Sequence, residues 1–440
     1  MNSAAALGQR LLDEIREESL DEASFHFSLE ILLHDLRAQF EPRTERSHFG
    51  VKDLDDLLDA FLSAHSPALT QHQHQQQDHS LNSGAQITHA HSASSTALGS
   101  SRATRIGRKL PVIEISSPSS GGGKSQLLYY LAAIAVLPSS FKGKKIGGRN
   151  GAVVLLDTDG RLDVKRLYEI AEGAIQHAQR ASSTDVDTNE TTAAEAAAIA
   201  SLIRDSLQHV HIFRPQSSSS LLATLKSLDK YLLDMRRHRS ATRPLHAVIL
   251  DSASAFYWQD RMRDDVARTQ EIGRSAAEIK QDREQRKTFY LNILYQDIAS
   301  ELRRIQTIFE CSVVYTTWGL NRAFSDKNAP YAHLWSGPPS FKPHLPPPWN
   351  SFPDLRLVVQ RDTVRPYPAS STYTEIERDA PIRQGVVRQG KFSAWVDTWG
   401  REYWPPGIIN ALRNMPEHGA FPFWVRKDGV FMDDLMSDTC

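Results

Sequence analysis

Ser117-Pro118-Ser119-Ser120-Gly121-Gly122-Gly123-Lys124-Ser125 joins a short strand-like run, KLPVIEI, to an apolar stretch from Leu127 to Leu137. A glycine-rich segment between a predicted strand and a predicted helix is the setting of a phosphate-binding loop. Gly121, Gly122 and Gly123 let backbone N–H groups turn inward around phosphate oxygens, and the helix N-terminus adds positive potential. In this reading Lys124 reaches the β- and γ-phosphates of ATP, and the Ser125 hydroxyl ligates Mg2+. The usual GxxxxGK[ST] spacing puts a glycine where Pro118 stands, unless the loop carries one extra residue after Ser117. A bare glycine-rich turn before a helix is the competing reading.

Two carboxylates extend the candidate site. His246-Ala-Val-Ile-Leu-Asp251 is an apolar strand ending in an acid, the arrangement that holds a magnesium shell near bound phosphates. Leu155-Leu156-Asp157-Thr158-Asp159-Gly160 ends a second apolar strand, and Asp159 is the candidate to polarise an attacking water. A plain turn would also explain an Asp-Gly pair.

Outward from these segments, short β-branched runs alternate with helical patterns. Strands are predicted at Ala152–Leu156, Val210–Phe213, Ala247–Leu250, Ser312–Thr316 and Leu355–Gln360, with a hairpin about Asp428-Gly429. Helices are predicted over Leu162–Gln179, Ser219–Arg236 and a long charged region from Val266 to Phe309. The fold class is α/β, a mostly parallel sheet flanked by helices. Residues 1–64 read as a helical N-terminal extension, 65–105 as a His/Gln/Ser-rich linker that cannot build a core, and 106–440 as the core, with insertions near 181–197 and 326–353.

The bulk numbers exclude several classes. Lys+Arg is 51 and Asp+Glu 52 in 440 residues, so the net charge is −1 and lacks the basic excess of a protein that holds DNA unaided. Cys311 and Cys440 are the two cysteines, which predicts no disulfide framework. The longest apolar stretch falls far short of the roughly 20 residues that span a bilayer. A soluble intracellular protein without a membrane association is predicted.

The succession of phosphate loop, LLDTDGRLDVKRL, FRPQSSSSLLATLKSL, VILDSASAFYW and VVYTTW resembles the eukaryotic recombinase branch of the RecA superfamily. The resemblance covers roughly residues 106–325, and more weakly the strand near Leu355 and the terminal FWVRKDGVF segment. It implies a RecA-like P-loop ATPase core that binds ATP and Mg2+. It also implies a nuclear role in homologous recombination repair of DNA double-strand breaks. The chain would then be a subunit that assists the recombinase on single-stranded or branched DNA, assembled with another recombinase paralogue of the D type.

Three departures from that branch predict slow or absent hydrolysis: the altered loop start, Asp159 where Glu is expected, and Thr317-Trp318 where an amide senses the γ-phosphate. An active DNA-dependent ATPase that drives strand exchange itself is the alternative, and a small-molecule kinase a weaker third. Phe61-Leu62-Ser63-Ala64 fits the FxxA pattern by which recombinase protomers dock, or else an ordinary amphipathic helix face. Arg283, Arg286 and Lys287 share a predicted helix face, and Arg236, Arg237, His238 and Arg239 form a basic run. Each reads as a solvated face or as a contact. Trp335 and Trp349 occupy the place of the branch's second DNA-binding loop, for stacking, partner contact or packing.

Overall fold

The structure, a computed structural model, describes residues 48–64, 110–181, 193–234, 236–286, 290–323, 339–362 and 364–433, positions 365, 366 and 369 excepted. The His-rich 65–91 segment, Trp335 and Lys287 lie outside the described residues.

The strands are β1 (Val112–Ser116), β2 (Ser140–Phe141), β3 (Lys144–Lys145), β4 (Ala152–Asp157), β5 (Val210–Phe213), β6 (Leu245–Asp251) and β7 (Ser312–Thr316). They continue with β8 (Asn321–Ala323), β9 (Ser340–Lys342), β10 (Leu355–Arg361), β11 (Lys391–Val396), β12 (Phe421–Arg426) and β13 (Gly429–Phe431). The helices are α1 (Lys52–Ala64), α2 (Lys124–Val136), α3 (Val164–Ala181), α4 (Ala193–Leu207) and α5 (Ser218–Leu233). After them come α6 (Tyr257–Glu271), α7 (Ala276–Arg286), α8 (Leu291–Phe309), α9 (Tyr373–Arg388) and α10 (Pro406–Asn414).

Nine strands form one sheet in the order β13-β12-β11-β10-β1-β7-β6-β4-β5. The six from β10 to β5 run parallel, and β11, β12 and β13 extend the sheet antiparallel. Side chains alternate across a strand, and the two faces bury two separate clusters. Val153 and Leu155 on β4 and Ile249 on β6 face a cluster with α1, α2 and α3. Val154, Leu156, Val248 and Leu250 face a second cluster with α5 and α8. Helices on both faces explain why β1, β4 and β7 are buried along their whole length.

α2 is apolar on nearly every side because the sheet, α3 and α1 enclose it, with Leu127, Ala132, Ala133 and Val136 buried. α1 places Leu54, Leu57, Leu58 and Phe61 on one face against Ile408 and Leu412 of α10. Asp55 ties its start by accepting from Phe49 N at 2.7 Å and Gly50 N at 2.8 Å.

Several elements depart from the sequence expectation. The charged region expected from Val266 to Phe309 begins at Tyr257 and breaks between α6 and α7, where Gly273 adopts φ +81°. Of the surface insertion expected near 181–197, the residues from Ala193 onward are the first turns of α4, whose Ile199 and Ile203 reach the core; 182–192 lie outside the described residues. The proline-rich stretch carries a 3-10 turn, Pro347–Asn350, that buries Trp349 against Tyr315 and Phe352. Trp349 is therefore a packing residue, its indole Nε1 donating to Tyr295 O at 3.0 Å.

Candidate nucleotide site

A parallel sheet presents the C-terminal ends of its strands along one edge, where open α/β sheets bind ligands. β1, β7, β6 and β4 are neighbours in the sheet, so the segments that follow them meet there. The phosphate-loop sequence leaves β1, Thr316 ends β7 with Thr317 just after it, Asp251 ends β6 and Asp157 ends β4.

The loop is built around Ser117. Its buried hydroxyl donates to Ser119 O at 2.9 Å. A Cβ on Gly122 would fall 1.8 Å from that oxygen, so only glycine closes the turn. Gly121 and Gly123 take positive φ values of 73° and 97°, and a Cβ on Gly123 would meet Phe392 at 2.7 Å. Pro118, at the spacing of the usual first glycine, is exposed. Gly319 N donates to Ser117 O at 2.9 Å and fastens the exit of β7 to the loop.

Lys124 opens α2 behind Gly123, which provides no side-chain cap, so the first-turn N–H groups are left for a ligand or solvent. Lys124 has no ion pair among the described residues. Burial pushes its ammonium below the usual lysine range, and the Asp251 and Asp159 carboxylates oppose that shift. Ser125 Oγ donates to Asp251 Oδ2 at 2.7 Å, and Thr316 Oγ1 donates to Asp251 Oδ1 at 2.6 Å. Asp159 is exposed at the mouth. Desolvation of its carboxyl and then the Asp251 charge raise its pKa, against the pull of Arg161.

Asp157 belongs to the scaffold. It is buried and accepts from Arg161 N at 3.1 Å, from Leu162 N at 3.2 Å and from Arg214 Nε at 3.2 Å. Thr158 Oγ1 accepts from Ser252 N at 2.6 Å and donates to Ser252 O at 2.7 Å, which joins the β4 exit to the β6 exit.

Gly121, Gly122, Gly123, Lys124, Ser125, Asp251 and Asp159 are thus brought to one edge. Thr316 was missed from sequence, because a threonine ending a β-branched strand looks like strand propensity alone. Thr317 turns the other way and donates to the buried Glu114 at 2.7 Å. Among the described residues no group of three or more His, Cys, Asp or Glu is placed to hold a metal.

The chain is similar to the DNA repair protein XRCC2 homolog of Arabidopsis thaliana, 21% identical over 272 residues that make up 57% of this chain and 68% of that protein. It is similar to DNA repair protein XRCC2 of Mus musculus, 31% identical over 152 residues, 34% of this chain and 42% of the mouse protein. It is also similar to DNA repair protein RAD51 homolog 3 of Cricetulus griseus, 31% identical over 112 residues, 26% of this chain and 28% of that protein.

The chain resembles XRCC2 homologues and a RAD51 paralogue at low identity, and its mostly parallel, helix-flanked sheet is consistent with a RecA-like core.

The matched stretches span less than half of the mouse and hamster relatives. No protein-family model matches this chain. Phe61 is buried edge-on against Trp404 at 5.5 Å. Arg283 and Arg286 lie on α7. Arg236 and Arg239 are exposed beyond the end of α5, and Arg237 pairs with Asp234 at 2.9 Å. Among the described residues no helix is long and apolar enough to cross a membrane.

Proposed function

We propose that this chain is a nucleotide-binding recombinase paralogue that acts in the nucleus within a complex assisting homologous recombination repair of DNA double-strand breaks. The observation that carries the nucleotide reading is the Ser125–Asp251 contact at 2.7 Å beside Lys124, which has no ion pair among the described residues. The repair reading rests on relatives that are themselves named as DNA repair proteins.

The residues fit a magnesium nucleotide. Glycines at 121–123 leave the backbone open, Lys124 brings a desolvated cation, and Ser125 and Asp251 would supply oxygen ligands for Mg2+ alongside phosphate oxygens. Bound ATP would supply a γ-phosphate whose charge Lys124 and the first turn of α2 neutralise. Thr316 holds Asp251 in place from the neighbouring strand. Asp159 is the candidate to orient a water; its exposed side chain supports slow hydrolysis, since general-base geometry tolerates little displacement. A subunit of this kind uses nucleotide to shape an interface, as a population shift without turnover. Its partner would be another recombinase paralogue, the D type being the expectation, on single-stranded or branched DNA.

Purification of the tagged full chain from its native cells, with identification of copurifying proteins, tests the reading. Recovery of a second RecA-type paralogue supports it. Regular ATP-dependent filaments formed by the chain alone on DNA would replace it with the strand-exchange alternative.

A further inference from the structure

The other edge of the sheet, where the parallel strands begin, has a different character. Two of its loops lead into the adjacent strands β4 and β6. The first, residues 139–151, carries Lys142, Lys144, Lys145 and Arg149 and no acid. The second, residues 234–244, carries Arg236, Arg237, Arg239 and Arg243 against the single acid Asp234. The whole chain has a net charge of −1, so this concentration is local.

The loops are held side by side by the last turn of α2, whose carbonyls they cap. Arg149 N, Gly151 N and Asn150 N donate to Ile134, Ala135 and Leu137 O at 2.9, 2.8 and 2.8 Å. Arg243 Nη1 supplies Val136 O at 2.8 Å from the second loop. Ala152 N donates to Pro244 O at 2.9 Å and joins the two loops directly. A Cβ on Gly148 would fall 2.1 Å from Leu137 O, so the chain passes against the helix end at a glycine. The tip of the first loop is the β2–β3 hairpin, turned at Lys142 and Gly143 with φ values of 49° and 79°.

Some of these cations are committed within the fold: Arg149 to Asp55 at 4.0 Å, Arg237 to Asp234 and Arg243 to the helix end. Lys142, Lys145 and Arg236 are exposed and have no acidic partner among the described residues, and the exposed Arg239 meets only the Gln208 amide at 3.0 Å. Asp55 of α1 and Asp205 of α4 lie beside these loops, against Arg149 and His209, and Glu310 and Asp354 lead into β7 and β10 at the same edge of the sheet. None of the large apolar side chains exposed on the described surface lies in either loop. A protein interface draws its affinity from buried aromatic and apolar anchors, whereas a phosphate backbone needs only cations on a surface.

We propose that this edge binds the phosphate backbone of nucleic acid, through Lys142 and Lys145 of the β2–β3 hairpin and Arg236 and Arg239 of the neighbouring loop. The inference rests on the DNA-repair reading and adds a contact surface to it. The surface is separated from Lys124 by the length of α2, about 20 Å for its thirteen residues, so DNA and nucleotide can be held at once.

The test is fluorescence anisotropy with a labelled single-stranded oligonucleotide across a salt series, using the full chain and the variant Lys142→Gln/Lys145→Gln/Arg236→Gln/Arg239→Gln. The slope of log affinity against log salt should fall by about 0.7 for each lost contact, roughly 3 in all. Binding of a fluorescent ATP analogue should be unchanged, which reports a folded core. Should the fourfold variant fail that control, Lys142→Gln/Lys145→Gln alone should lower the slope by about 1.4. A parent that binds DNA with the same slope as the variant overturns the surface and leaves the repair reading standing. A parent that binds no DNA at any salt overturns both. Loss of a copurifying acidic protein with DNA binding intact also overturns the assignment.

Discussion

Thr316 at the end of β7 donates a 2.6 Å hydrogen bond to Asp251 at the end of β6. Ser125 takes the other oxygen of the same carboxylate at 2.7 Å. The acid is therefore gripped by hydroxyls from the glycine loop on one side and from the sheet on the other, which fixes its orientation.

Removal of the Thr316 hydroxyl should loosen that grip. Thr316→Val keeps the shape of a buried strand residue and should cost about 1–3 kcal/mol of stability through the unpaired carboxylate oxygen. Mg2+-dependent affinity for a fluorescent ATP analogue should drop several-fold, and Thr316→Ser should restore it. Equal affinity for Thr316→Val and the parent would show that Asp251 needs no second donor.

Lys124→Ala should weaken binding of the same analogue by at least tenfold, about 1.4 kcal/mol, because a direct charge on phosphate is lost. The melting temperature should hold or rise, since the desolvated ammonium it removes is unfavourable in the folded state. Unaltered affinity would remove the phosphate-loop assignment.

Turnover should be slow and insensitive to Asp159→Ala. A phosphate-release assay with and without single-stranded DNA measures it. Robust DNA-stimulated turnover abolished by Asp159→Ala would mean that the shorter carboxylate does serve as the base.

Phe61→Ala should act on folding. The ring is 3% exposed and meets Trp404 edge-on at 5.5 Å. Truncation should cost about 3–5 kcal/mol, read from the urea midpoint. Unchanged stability with altered self-association would instead make Phe61-Leu62-Ser63-Ala64 an exposed docking element.

Acid should destabilise the fold through two histidines. His209 Nδ1 and His211 Nε2 both lie 2.9 Å from Ser240 Oγ. Burial lowers both pKa values from 6.5 to about 4, helped by the Arg243 and His238 charges at His209 and by the His238 and His209 charges at His211. The unfolded chain protonates first as pH falls. Their stabilising contribution is thus complete above pH 6.5 and is lost as pH drops toward about 4, by on the order of a few kcal/mol. Urea midpoints between pH 7 and 4 measure it. A flat profile, or one that His209→Asn/His211→Asn does not flatten, would rule out these histidines as the cause.

The local pattern alone determined a good deal of this protein. A glycine run between an apolar strand and an apolar helix located the tight turn between β1 and α2, because only glycine tolerates the geometry at 122 and 123. Apolar runs ending in Asp157 and Asp251 marked two parallel strands buried on both faces, and Leu54, Leu57, Leu58 and Phe61 marked the buried face of α1. Such signals are legible because backbone sterics and side-chain period act within a few residues. Strand order was decided elsewhere. That β6 lies between β7 and β4, so that Thr316 reaches Asp251 and Thr158 reaches Ser252, depends on crossovers that no local pattern encodes. The same holds for Trp349, whose burial required Tyr295 and Tyr315 from other elements, and for α9, which has no buried residue and hence no apolar stripe to announce it. The basic edge is the clearest case. Its two loops are separated by more than eighty residues and each reads as an ordinary charged turn, and they meet at the end of α2 only because the sheet sets β4 beside β6.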